Sequence, residues 1–234
     1  MSVTSYVKER LMLEEISSYR GIPLFTKSKD KEEDKRKYNV NYLNQIHDQV
    51  FNTRFINWEI AHICITIDKE RSTNDYTKAF KYVFDDCLYI LKRESSLEPF
   101  NDNELDIKDH KGEHLHLFVF YNPFVRSTAS FRKRLLDLRK KRNKLFAPKF
   151  IRNFKIVDSK TAPFISESWL EQYDCWFDSL EERRDAEYRN QPKNYVSISK
   201  DKLTKIFTWI AYVAKAETTT SSTQRPFLIK DLTK

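Results

Sequence analysis

The nine residues Glu113-His114-Leu115-His116-Leu117-Phe118-Val119-Phe120-Tyr121 constrain the fold more than any other stretch of this chain. Leu, Phe, Val and Tyr suit a pleated, half-buried surface, so the run reads as one β-strand. Side chains two apart share a face, which sends His114 and His116 out together. Two imidazoles side by side on a rigid strand can grip one divalent metal. Chance alone also produces such pairs, so the reading gains weight only if a carboxylate and a reactive group can be brought to it.

A second strand is expected over Ala61 to Asp68. Ile63, Ile65 and Ile67 face one way, and His62, Cys64, Thr66 and Asp68 the other. Asn74 or Asp75 can cap a following helix whose buried side carries Ala79, Tyr82 and Val83. A third strand is expected over Leu88 to Ser95, antiparallel to the His strand. Between them lies an insertion with Pro99, Asn101, Asp102 and Asn103, reaching Gly112. Phe150 to Val157 reads as a further strand. The order strand, helix, strand, strand implies an α+β fold, a central antiparallel sheet with packed helices.

The flanks are less regular. Residues 1–55 read as a charged helical extension. Tyr6, Leu11, Leu13, Ile16 and Tyr19 give an imperfect helical stripe that stops at Gly21 and Pro23, and Val40, Leu43, Ile46 and Val50 resume it. Trp169, Tyr173, Trp176 and Leu180 form a helical stripe best read as core. A last helix, opened by Ser199 or Asp201 and running to about Glu217, buries Leu203, Ile206, Ile210 and Val213. It places Tyr212 and Lys215, three apart, as neighbours on its polar side. Residues 218–234 read as a flexible tail, and 56–217 as the main domain.

Charge points to a polyanionic partner. The 234 residues hold 42 Lys+Arg against 34 Asp+Glu, a net charge of +8. Arg132, Lys133, Arg134, Arg139, Lys140, Lys141, Arg142 and Lys144 are concentrated on one segment, with Phe131, Leu135 and Leu138 between them at helical spacing. A solvated helix accounts for this pattern; a phosphate-gripping surface accounts for it equally well. With two glycines in the chain, Gly-rich phosphate loops of the P-loop or Rossmann kind are excluded. Cys64, Cys87 and Cys175 are odd in number and widely spaced, which suggests neither a zinc knuckle nor a disulfide framework. A reducing cytoplasm fits, and no apolar run approaches membrane-spanning length. His47 and His62 read as structural or surface residues, and His110 falls in the insertion.

Taken in order, Thr66-Ile67-Asp68, Arg93-Glu94, His114-Leu115-His116 through Asn122, and Tyr212-Val213-Ala214-Lys215 resemble the motifs of the HUH endonuclease superfamily. The Tyr-x-x-Lys helix is similar to the single-tyrosine branch of its replication initiators. The wider pattern, over about residues 56–217, resembles the initiators of filamentous, inovirus-type phages and their prophage relatives, the YagK/YfjJ-like proteins. Thr66 stands where that pattern has Arg, and the stretch between Glu94 and His114 is longer than its hairpin.

The resemblance implies an HUH/RRM-like endonuclease fold and a metal-dependent enzyme that nicks and rejoins single-stranded DNA through a covalent 5′-phosphotyrosine. Such an enzyme initiates rolling-circle replication of a phage, prophage or plasmid. It implies Tyr212 as nucleophile and Lys215 as its cationic neighbour. His114, His116 and Glu94 are the implied ligands of Mg²⁺ or Mn²⁺, with Asp106 and Glu104 as alternatives to Glu94. Tyr195 is the competing nucleophile. The implied partners are origin DNA, hairpinned or not, and a host helicase and polymerase. Two rivals stand beside this reading: a transposase or relaxase of the same superfamily, and a non-catalytic nucleic-acid-binding protein on an RRM-like sheet.

Overall fold

The computed structural model describes residues 12–24, 36–67, 71–95, 113–140, 150–157, 195–215 and 227–233. Asp68, Glu104, Asp106, Lys141, Arg142, Lys144 and the Trp169–Leu180 stripe lie outside the described residues. The described residues of 1–56 and 198–217 group into one compact unit, and those of 57–161, 194–197 and 218–234 into another.

Tyr6 and Leu11 lie outside the described residues, and the first described residues of this unit form strands where the spacing predicts a helix. β1 (Leu13–Ile16) pairs with β4 (Arg36–Asn39), and β2 (Ser18–Tyr19) pairs with β3 (Ile22–Pro23). The two residues between β2 and β3, Arg20 and Gly21, both have positive φ, 51° and 76°. That is the primed turn that joins tight hairpins, and it selects against helix at this point. The predicted helix over Val40 to Val50 forms as α1 (Val40–Val50), capped by Asn39, whose side chain accepts from the Tyr42 N–H at 3.2 Å. It buries Leu43, Ile46 and Val50 as expected.

The second unit is built on an antiparallel sheet. β5 (Glu59–Thr66) leads to α2 (Thr73–Val83), then β6 (Leu88–Ser95), β7 (Glu113–Tyr121), α3 (Thr128–Arg139) and β8 (Asn153–Ile156). The sheet order is β6-β7-β5-β8, so β7 fills the slot between β5 and the strand that follows it. This is the split β-α-β-β-α-β arrangement of ferredoxin-like domains. β9 (Val196–Ser197) adds to β5.

The cap of α2 is Ser72, just ahead of the Asn74 and Asp75 expected to cap it. Ser72 and Asp75 form a reciprocal capping box. Alternation then divides the sheet. Ile63, Ile65, Leu91, Leu115, Leu117 and Val119 join Tyr76, Phe80 and Val83 of α2 and Phe131, Leu135 and Leu138 of α3 in one core. The even-numbered side chains of β5, β6 and β7 face the other way.

Back in the first unit, the last helix is shorter than expected. A 3₁₀ turn over Lys200–Lys202 precedes α4 (Leu203–Ala211), and a second 3₁₀ turn over Tyr212–Ala214 ends it. α4 packs on α1, with Phe207 near the stacked rings of His47 and Phe51. The Thr208 hydroxyl donates to the Pro23 carbonyl at 2.8 Å and so ties the β2–β3 hairpin to α4. In the second unit the end of the expected flexible tail is an ordered strand. β10 (Phe227–Asp231) pairs antiparallel with β6, making six strands in the sheet. Among the described residues, no helix is long and apolar enough to cross a membrane.

A candidate metal centre on the histidine face of the sheet

Register brings the predicted ligands together. His114 lies opposite Glu94 of β6 and Thr66 of β5; His116 lies opposite Lys92 and Cys64. Partners across a ladder share a face, so these side chains line the side of the sheet away from α2 and α3. The Glu94 Oε2 stands 3.9 Å from His114 Nε2 and 3.5 Å from His116 Nε2. All three residues are buried. Glu94, the ligand carried by the resemblance, thus reaches both histidines.

The arrangement suits a metal ion. Ligand atoms that share one octahedral Mg²⁺ or Mn²⁺ sit about 3 Å apart, so the carboxylate would draw in by about 0.5 to 0.9 Å on binding. Two imidazoles and one carboxylate also leave coordination positions open. Electrostatics point the same way. Burial alone would hold the His116 ring neutral. The Cys64 sulfur and the Glu94 carboxylate outweigh it and lift the ring to about 10. The pocket therefore favours a cation against Glu94, whether a proton or a metal ion.

His116 is also gripped from behind. Its Nδ1 lies 3.0 Å from His62 Nε2 and 3.4 Å from Cys64 Sγ. Metal-bound imidazoles are commonly oriented through the nitrogen that does not bind. His62 itself stacks on Phe118, with ring centroids 4.4 Å apart and planes 5° from parallel. Burial, and then the neighbouring His116 charge, keeps the His62 ring well below its ordinary value. Of the two readings the sequence left for His62, structural or surface, the structure shows the first: it is buried and braces His116. Its signal was in the sequence, since His62 and Cys64 alternate on one face of their strand. What the sequence lacked was the register that sets that face beside His116. Lys92, buried on the same row, was also missed.

Arg93, next in sequence to Glu94, points to the helix side. It pairs with Glu113 and donates to the Arg71 carbonyl at 2.7 Å, which anchors β6 against β7 beside the ligands.

Comparison with known proteins adds no identity: no protein family, curated protein or solved structure matches this chain.

In the first unit, Lys215 Nζ is hydrogen-bonded to the Tyr212 hydroxyl, and Lys215 forms an isolated bridge with Tyr38. The pair therefore exists, but not on the polar side of a long helix. In a 3₁₀ turn side chains three apart eclipse, which aligns Tyr212 with Lys215, and Lys215 is buried. Tyr195, in the second unit, packs against the helix-side core, on the far side of the sheet from His114 and His116.

The basic helix, α3, also lies on that far side. Arg132, Lys133, Arg139 and Lys140 are exposed along it. Arg134 is engaged within the fold. It pairs with Asp85 and donates to the Tyr82 and Val83 carbonyls at 2.8 and 3.3 Å, closing the end of α2.

Proposed function

We propose that this chain is an HUH-type endonuclease that cuts and rejoins single-stranded DNA and so initiates rolling-circle replication of a phage, prophage or plasmid. The observation that carries the reading is the convergence of Glu94 on the paired histidines of β7. A His-x-His strand alone is common. The same strand with a carboxylate at both rings is a ligand set.

His114, His116 and Glu94 would hold Mg²⁺ or Mn²⁺, whose chemistry is to offset the charge of the scissile phosphate. The nucleophile is assigned to Tyr212. Its phenolic oxygen attacks phosphorus and forms a bond to the 5′ end, while the bond to the 3′ oxygen breaks and leaves a 3′-hydroxyl able to prime synthesis. The Lys215 ammonium stands at that oxygen, where it can offset charge as the attack proceeds. The retained phosphodiester energy permits later rejoining. A helicase and a polymerase would come from the host, and the cytoplasm is the compartment this reading requires.

The β-α-β-β-α-β order supports a second reading, a nucleic-acid-binding module without catalysis. Such modules stack bases on sheet aromatics. Here Phe118 and Phe120, the aromatics of β7 on the histidine face, are buried, which favours the first reading. A labelled single-stranded oligonucleotide separates the two. Cleavage that appears with Mn²⁺, stops with chelator and is lost in His114→Ala while binding persists supports the enzyme. Binding that is indifferent to metal, with no cleavage by the wild type, supports the module.

A further inference from the structure

We propose that His62, Cys64 and His116 form a second metal site, suited to a borderline-soft ion of the Zn²⁺ class, and that filling it disables the site on Glu94. The exclusion rests on the functional reading above; the second site does not.

The donor atoms are already gathered. His62 Nε2 and His116 Nδ1 are 3.0 Å apart, and Cys64 Sγ lies 3.5 Å from the first and 3.4 Å from the second. Around one tetrahedral Zn²⁺ the nitrogens would be about 3.3 Å apart and the sulfur about 3.6 Å from each. All three separations agree with those values within a few tenths of an ångström. The donors are also of the right kind. One thiolate and two imidazoles form a zinc set with a fourth position open, whereas Mg²⁺ and Mn²⁺ favour oxygen.

The backbone supports the set. His62 and Cys64 are two apart on β5, and His116 of β7 lies directly opposite Cys64. The Phe118 ring beneath His62 fixes its plane. In the metal-free chain the same three groups satisfy one another as polar neighbours. Binding would displace the thiol proton, and the imidazole proton lying between the two nitrogens, to solvent.

The exclusion follows from His116. The two candidate sites use its opposite nitrogens, Nδ1 for the sulfur site and Nε2 for the carboxylate site. A neutral imidazole offers one lone pair, and the other nitrogen carries hydrogen. With Zn²⁺ on Nδ1, the Nε2–H points at Glu94 Oε2, 3.5 Å away, and no longer serves as a ligand. Glu94 and His114 remain, too few to hold Mg²⁺ or Mn²⁺ well.

The test uses the full chain. Titration with Co²⁺, a coloured stand-in for Zn²⁺, should give a thiolate-to-cobalt charge-transfer band that saturates at one equivalent. Cys64→Ser should abolish the band, while Cys87→Ser and Glu94→Gln should keep it. His62→Ala, a second variant in case Cys64→Ser fails to fold, should weaken Co²⁺ binding roughly tenfold or more. Bound Mn²⁺ is then followed by electron paramagnetic resonance. One equivalent of Zn²⁺ should expel it from the wild type at least about tenfold more effectively than from Cys64→Ser. Zinc outcompetes manganese at most sites, so this comparison, not displacement alone, carries the result. An absent band, or one that survives Cys64→Ser, overturns the second site. A Cys64-dependent band with equal displacement in both proteins overturns the exclusion. A Cys64-dependent band with no Mn²⁺ binding at all upholds the sulfur site and removes the functional reading beneath the exclusion.

Discussion

The carboxylate of Glu94 decides whether two histidines on a strand are a ligand set. Replacing it with glutamine keeps the shape and removes the charge. Glu94→Gln should weaken Mn²⁺ binding by more than about 100-fold, as read by calorimetry, with little change in folding. Unchanged affinity would move the third ligand to Asp106 or Glu104, in the segment between β6 and β7. The histidine pair was legible because a strand has a period of two. Glu94 was legible only through the resemblance, because its position opposite His114 depends on the pairing of β6 with β7 and on the long insertion that joins them. His62 and Cys64 were visible as a face of β5, yet pairing with β7 is tertiary information. Their role therefore did not emerge from the sequence.

Among the elements, strong periodicity was read correctly. β5, β6, β7, α1 and α3 all lie where alternation or helical spacing places them. The errors fall on short elements. β1, β2 and β3 span four, two and two residues, too few for alternation to show against a charged background. β10 was hidden behind a Ser/Thr-rich stretch that resembles a tail; Phe227-Leu228-Ile229 is a strand because the edge of β6 is there to receive it. The start of α2 shows how local chemistry fixes an end. Ser72→Ala removes one half of the capping box and should lower stability by about 1 kcal/mol in a denaturant titration. A change near zero would mean that packing against the sheet alone sets the helix start. At the other end of α2, Arg134 is bound to Asp85 and two carbonyls. Arg134→Ala should therefore lower the melting temperature, whereas Arg132→Ala, on an exposed position, should not.

For the whole molecule, the net charge of +8 predicts DNA binding that weakens steeply with salt. Neutralising Lys140, Lys141 and Arg142 together should flatten the slope of affinity against salt by about 0.7 per lost phosphate contact. An unchanged slope would mark this run as a solvated surface. The α+β class and the antiparallel sheet were readable from the order of elements. The division of the described residues into two units was not, since α4, which follows every strand from β5 to β9 in sequence, groups with α1 near the start of the chain. In the proposed reaction, tyrosine chemistry on DNA depends on this metal centre. Incubating the chain with single-stranded DNA and Mn²⁺, denaturing it, and sequencing the nucleotide-bearing peptide by mass spectrometry tests this directly. The adduct is expected on Tyr212 and should vanish in Tyr212→Phe, in His114→Ala and on adding chelator. An adduct on Tyr195 or any other tyrosine, or one that forms without metal, would contradict it.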